Sequence, residues 1–193
     1  MNRCEQAVGY HKKGFNCCQS VLAAYQDLIG LTEAQCLTLG GGFGAGAGTG
    51  ELCGAVTGAV MVLDLLTPAD PGDVMGSKKR SVAQAKELQK RFAARFENLR
   101  CADLLQKKFV PDDTTPAAKA LCLTGHCDIM IVTAVELVEQ AAKGGKTVVT
   151  LGPIIHNHHV VDKFRALGVE VIDAPEQASP GQTVIIRSHG VSR

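Results

Sequence analysis

Eight cysteines, at positions 4, 17, 18, 36, 53, 101, 122 and 127, are the residues of this chain best suited to hold a metal or carry electrons. No two of them form a CxxC pair, which speaks against a zinc ribbon or a thioredoxin-type dithiol, so a shared site must gather thiols from distant segments. The amino terminus, MNRCEQAVGYHKKG, lacks the apolar stretch of a secretory signal. Disulfide stapling is therefore not expected, and a cytoplasmic protein with metal-binding or redox cysteines is. Three of the thiols fall near expected helix starts: Cys17 after Asn16, Cys53 after Thr49, and Cys127 after Thr124 or Gly125. Unpaired amides and the helix dipole there favour a thiolate. Cys101 stands beside Arg100, whose charge acts in the same direction. Cys4, Cys18 and Cys36 read as small buried hydrophobes, and Cys122 is unassigned.

The elements that must position these residues are helical up to about residue 142. Asn16 and Gln19 form a capping-box pattern for a helix to about Leu28, and Thr32 caps a second. Thr49 is the expected cap of a helix from Glu51 to about Leu66. Val82, Ala85, Leu88, Phe92, Phe96 and Leu99 recur at steps of three and four, predicting one amphipathic helix from Ser77 to about Leu99. Ala120–Leu123 is a candidate strand, and a last helix follows Cys127 to Gly144. The run GGGFGAGAGTG (40–50) has no GxGxxG register and no strand before it, and Gly145-Lys146-Thr147 has Gln140 where a P-loop needs glycine. Nucleotide binding is excluded on both counts, and the glycine run is assigned to close helix packing or to a flexible approach to Cys53.

After Lys146 the pattern changes to β-branched runs: TVVTL (147–151), VEVID (169–173) and TVIIR (183–187). With a helix expected over His158–Leu167, this predicts parallel strand–helix–strand structure. His156 and His189 each follow such a strand, at the carboxyl edge where parallel sheets bind ligands. Two imidazoles beside a helix amino terminus suit an anion or diphosphate; two loop histidines without a shared duty are the plainer alternative. The net charge of +1 offers no electrostatic case for nucleic acid or an anionic membrane. The longest apolar stretch, Ala55–Leu66, is too short to span a bilayer.

The stretches GFNCCQSVLAAY, GGGFGAGAGTGELCGAVTGAVMVLDLL, RCADLL and GHCDIMIVTAVELVE resemble the C-GCAxxG-C-C family of redox-active proteins, over about residues 1–142. That family carries four spaced cysteines, one of them in a motif matched here by Cys53-Gly54-Ala55-Val56-Thr57-Gly58. Cys17, Cys101 and Cys127 match the other three. The resemblance implies a redox role, through cysteine-ligated metal or a thiol–disulfide cycle.

Residues 141–193, with GPIIHN and SHGVS, resemble the first domain of the 4-hydroxy-3-methylbut-2-enyl diphosphate reductase family. Those oxidoreductases perform the last step of the methylerythritol phosphate route of isoprenoid biosynthesis, a reductive dehydroxylation at an iron–sulfur cluster. The resemblance implies that His156 and His189 contact the substrate diphosphate. It also implies a 4Fe-4S cofactor and an electron donor such as ferredoxin or flavodoxin. Gly125–Met130 is the nearest match to the family's first cluster-cysteine context, so both families claim Cys127. The family's later cluster cysteines and catalytic acid have no counterpart before Arg193, which predicts an incomplete three-domain reductase fold that does not turn over alone.

The expected architecture is thus a mainly α cysteine-rich domain, residues 1–142, followed by a small parallel β-α-β segment, residues 143–193, with the seam within 127–146. The expected function is an iron–sulfur or thiol redox protein fused to an incomplete reductase module. The alternatives are a stand-alone electron-transfer or thiol–disulfide protein, and a non-catalytic metal-binding module.

Overall fold

The computed structural model describes residues 2–107, 115–144, 148–151, 170–172, 174, 177 and 183–186. The chain divides into two compact units, Met1–Glu139 and Gln140–Arg193, and the described residues are mainly helical.

The first unit begins with α1 (Arg3–Lys12), held by a reciprocal box between Asn2 and Glu5. The same device starts α2 (Cys17–Ala24): the Asn16 side chain accepts from the Gln19 amide and Gln19 reaches back to the Asn16 amide. Tyr25 (φ −112°, ψ 6°) interrupts the expected longer helix, and the chain continues as α3 (Gln26–Ile29). Thr32 and Gln35 box the start of α4 (Glu33–Gly40) as their sequence predicts.

Three boundaries differ from the sequence expectation. α5 (Gly54–Leu66) starts three residues after Glu51, with Cys53 rather than Thr49 at its cap. The glycine run causes the delay: Gly46–Gly50 makes a wide turn with Ala47 and Gly48 at positive φ, and the Thr49 hydroxyl donates to Gly46 O within it. α6 (Val74–Phe96) starts at the Asp73 cap and stops at Phe96, not Leu99. Glu97 turns left-handed (φ 56°), and Asn98 Oδ1 accepts from the Leu99 and Arg100 amides, which directs the chain into a separate short helix, α7 (Cys101–Leu104). Finally, the candidate strand at Ala120–Leu123 is instead the end of α8 (Pro116–Ala120), capped by Thr115. α9 (His126–Gly144) follows.

α2 packs against α1, α4 and α5, and α5 packs in turn on α6. Cys18, Val21, Leu22, Ala23 and Ala24 of α2 are all buried, as is every residue of α9 from Ile129 to Val135. Tyr25 Oη donates to Val135 O at 3.1 Å, which ties α9 to the end of α2. On α6, Leu88, Phe92 and Phe96 form one buried stripe, the two rings 4.8 Å apart. Each such side chain contributes roughly 1.5–3 kcal/mol by burial. Val82, part of the same periodicity, stays 45% exposed, so the stripe is sealed over only half the helix. No described helix is long and apolar enough to cross a membrane.

α8 ends in a Schellman motif: Cys122 N donates to Lys119 O and Leu123 N to Ala118 O. Cys122 therefore sits at φ 51°, where a side chain is strained and glycine is not. Cys122→Gly is expected to stabilise the first unit by about 1 kcal/mol, read from urea melts followed by helical circular dichroism; a lower midpoint would contradict the strain.

In the second unit, β1 (Val148–Leu151), β2 (Glu170–Ile172) and β3 (Thr183–Ile186) pair in the order β2-β1-β3. Both pairings are parallel, with Val149 opposite Glu170 on one side and Val184 on the other. His156, His189 and the expected helix over His158–Leu167 lie outside the described residues.

Candidate metal centre

Short-range devices fix each of Cys17, Cys53, Cys101 and Cys127 at a helix start. Cys17 is the first residue of α2, fixed by the Asn16 cap. Asn16 is itself held from behind, its Nδ2 donating to Gly40 O and Gly41 O. Cys53 caps α5 and Cys101 opens α7, and an antiparallel bridge between Leu52 and Arg100 binds these two segments side by side. In that bridge Cys53 N donates to Leu99 O at 2.9 Å and Cys101 N to Glu51 O at 2.6 Å. Cys127 lies in the first turn of α9. A Cβ placed on Gly46 would come within 3.0 Å of Cys101 Cβ, and one on Gly54 within 3.4 Å of Cys17 Cβ. Gly46, within the glycine run, thus packs on Cys101, and Gly54, beyond it, on Cys17.

The four thiols influence one another's charge, and the sulfurs of Cys17 and Cys127 lie within 4.8 Å of each other. Cys17 donates its thiol proton toward Cys127 and also feels the charges of Cys53 and Cys101. Cys53 feels Cys101 and Cys127, and Cys101 feels Cys127. All eight cysteines are free thiols. Cys4, Cys18 and Cys36 are buried and Cys122 is exposed; Cys18 is raised chiefly by burial and also feels the charge of Cys53.

Helix starts do not by themselves lower the thiol pKa here: Cys17 and Cys53 are raised, and Cys127 is lowered by its neighbours rather than by the helix start. The hydrogen bond from Cys17 holds Cys127 down at about 6, with His11 and His126 assisting against burial. The same bond, then burial, pushes Cys17 far up. At Cys53 burial dominates and raises the thiol to about 11, although the Ala55 and Val56 amides act in the opposite direction. Burial, followed by the charge on Cys127, raises Cys101. Arg100 does not offset it, because its guanidinium is engaged by Glu51 at 3.0 Å and Asp103 at 3.6 Å. Three of the four thiols are thus held towards the protonated form, and a cation inside the group would favour their ionisation.

One consequence concerns the reduced, metal-free protein. Iodoacetamide is expected to modify half-buried Cys127 with a rate that rises through about pH 6 and then levels, since only the thiolate reacts. Peptide mapping by mass identifies the site. A rate climbing only towards the ordinary value of 9 would remove the thiolate from Cys127.

His11, near the end of α1, is a residue the sequence reading did not single out. Its ring and the Cys17 and Cys127 sulfurs offer donor atoms all within 4.8 Å of one another. Its Nδ1 lies 2.7 Å from Asp128 Oδ1. No motif marks it, because both relationships join α1 to the start of α9, more than a hundred residues away.

The family described as "Putative redox-active protein (C_GCAxxG_C_C)" matches residues 15–141, and the family described as LytB protein matches residues 122–193. The two matches overlap across 122–141, so Cys127 and the start of α9 belong to both. Among curated proteins, the 4-hydroxy-3-methylbut-2-enyl diphosphate reductase of Solidesulfovibrio magneticus is 41% identical over 72 residues, covering 35% of this chain and 25% of the relative. The reductase of that name from Anaeromyxobacter is 42% identical over 66 residues, 34% of this chain and 23% of the relative. That of Citrifermentans bemidjiense is 46% identical over 59 residues, 31% and 21%. The match thus spans about a quarter of the length of these relatives. No solved structure matches the chain. With the four spaced cysteines in place and 15–141 matched end to end, the chain belongs to the C_GCAxxG_C_C family of redox-active proteins, and it carries in addition a partial LytB-like region.

Proposed function

We propose that this chain is a one-electron redox protein in which Cys17, Cys53, Cys101 and Cys127 hold an iron–sulfur cluster. What supports the reading is that the four cysteines, at four separate helix starts, influence one another's charge, with Cys17 and Cys127 close enough to share a metal. The donor set fits such a group: thiolate sulfur is its required ligand, and the positive charge of bound iron would offset the neighbouring-sulfur and burial effects that keep three of the thiols protonated. A bound cluster supplies a one-electron couple. The protein's part is to fix the four sulfurs on short helix ends and to exclude water, with Cys53 and Cys101 buried.

The decisive experiment is iron and acid-labile sulfide per chain, with EPR spectra, on protein purified without oxygen. About four irons with matching sulfide support a cubane and about two a smaller cluster. No iron, together with eight titratable thiols, overturns the reading.

A second reading rests on the closeness of Cys17 and Cys127, whose sulfurs lie within 4.8 Å of each other. A thiol donating to a thiolate is poised for dithiol chemistry, with Cys127 attacking a partner disulfide and Cys17 resolving the mixed disulfide. Oxidation to a Cys17–Cys127 disulfide in the iron-free protein would favour this cycle.

For the LytB-like region we propose that β1, β2 and β3 form part of a reductase first-domain sheet. His156 and His189 would there bind the diphosphate of a 4-hydroxy-3-methylbut-2-enyl substrate, and the cysteine centre would pass electrons from a ferredoxin or flavodoxin. The support is the likeness of residues 122–193 to those reductases. Substrate-dependent protection from hydrogen exchange around 148–193, lost in a His156→Ala/His189→Ala variant, tests it; equal exchange with and without substrate sinks it.

A further inference from the structure

We infer that His11 is a nitrogen ligand of the metal held at Cys17 and Cys127, with Asp128 as the residue that positions it. This deepens, and rests on, the reading of the cysteines as a metal centre.

Two independent observations carry the inference. The first is proximity: the donor atoms of His11, Cys17 and Cys127 lie within 4.8 Å of one another, all three residues half-buried. Ligands around one tetrahedral metal, at bond lengths of about 2.0 Å to nitrogen and 2.3 Å to sulfur, stand roughly 3.5 Å apart. The free donors therefore need to close by about an ångström, within the reach of side-chain rotation. The second is orientation. Asp128 Oδ1 sits 2.7 Å from His11 Nδ1, and an ionised carboxylate can only accept. In the neutral ring the proton is therefore on Nδ1, and the lone pair is on Nε2. A histidine whose other nitrogen donates to a carboxylate is the arrangement that metal-ligating imidazoles adopt, because it fixes the tautomer and makes the ring more basic. Asp128 is also the neighbour of Cys127 in the first turn of α9. The turn that delivers the sulfur thus delivers the residue orienting the nitrogen. His11 lies outside the residues matched by either family, which begin at 15 and 122.

The chemical consequence is a mixed sulfur–nitrogen donor set. Imidazole is a neutral ligand, so a site that takes it beside thiolates gathers less negative charge than an all-thiolate set of the same size, which raises its reduction potential. It also suits the centre to cobalt, zinc or iron ions as well as to a cluster.

The test uses the full chain, reduced and prepared without oxygen, in two arms. Co²⁺ alone is titrated into metal-free protein and followed by thiolate-to-cobalt absorption. Iron-loaded protein is examined by pulsed EPR for coupling to an imidazole nitrogen. Expected results are nitrogen coupling in the native chain and its loss in His11→Ala. At least a tenfold weaker Co²⁺ affinity is expected in His11→Ala, with recovery in His11→Cys, and a loss of about 10- to 100-fold in Asp128→Asn. Helical circular dichroism confirms that each variant folds. If the native chain takes up metal but shows no nitrogen coupling, and His11→Ala binds Co²⁺ as tightly, His11 is not a ligand and the cysteine centre stands. If the native chain takes up neither Co²⁺ nor iron, the cysteine centre itself fails, and this inference with it.

Discussion

Cys53→Ser and Cys127→Ser are each expected to remove the iron, the labile sulfide and the EPR signal from protein prepared without oxygen, while Cys36→Ser leaves all three in place. The two sensitive positions are chosen because the structure holds them by different means. Cys53 is fixed on both sides of its own peptide, by the amide bond to Leu99 O and by its place at the cap of α5. Its burial means that no water can stand in for a lost ligand. Cys127 carries the thiolate of the group, held by the proton from Cys17. A serine hydroxyl has no comparable acidity and binds iron poorly, so each replacement removes a ligand rather than weakening one. Cys36 is equally buried, but it lies on α4 and carries no charge coupling to the four. It thus controls for the cost of placing a hydroxyl in the core. Folding must be checked by circular dichroism in all three. A native metal content in folded Cys53→Ser or Cys127→Ser would remove that cysteine from the centre. Loss of metal in folded Cys36→Ser would mean the set of four is wrongly drawn.

What the sequence made legible here was whatever its physics resolves within about four residues. Asn16 with Gln19 and Thr32 with Gln35 specify two helix starts because cap and partner are neighbours, and the structure contains both boxes. The four thiols could be named from their family spacing. Their protonation could not, since the helix dipole is a local effect and burial is not. Cys17 and Cys53 show burial and a neighbouring sulfur outweighing the dipole. The start of α5 was misplaced because Thr49 is a good cap in isolation, while the positive-φ turn around Ala47 and Gly48 postpones the helix to Cys53. Leu99 continues the apolar period of α6, which predicts a helix running to the edge of Cys101. The left-handed Glu97 and the Asn98 side chain, neither visible in that period, break the helix first. His11 escaped notice for the same reason: its significance is a contact across the fold with Asp128.

The CGAxxG motif has a physical account in the packing of α5 on α2, and its test has the second large expected effect. Gly54 and Gly58 stand four residues apart, on one face of α5. A Cβ on Gly58 would lie 2.9 Å from Cys18 O, 3.0 Å from Val21 Cβ and 3.2 Å from Cys18 Cα. A Cβ on Gly54 would lie 2.7 Å from Phe43 O. These obstacles are backbone or β-carbon atoms, which cannot rotate away, so an added methyl must push the helices apart. Gly54→Ala and Gly58→Ala are each expected to destabilise the first unit by about 1–3 kcal/mol. They should also lower the metal content of the protein that remains folded, because the motion that relieves the clash separates Cys17 on α2 from Cys53 at the head of α5. Gly9→Ala on α1 is the control: nothing lies within 4 Å of its added Cβ. Alanine there should stabilise the helix by about 0.5–1 kcal/mol. Urea melts by helical circular dichroism, paired with iron per folded chain, separate the two effects. If Gly58→Ala melts at or above the native midpoint, α2 and α5 are not in contact at that face. If it melts early but keeps full iron, the motif serves stability alone and the thiols are positioned by their caps.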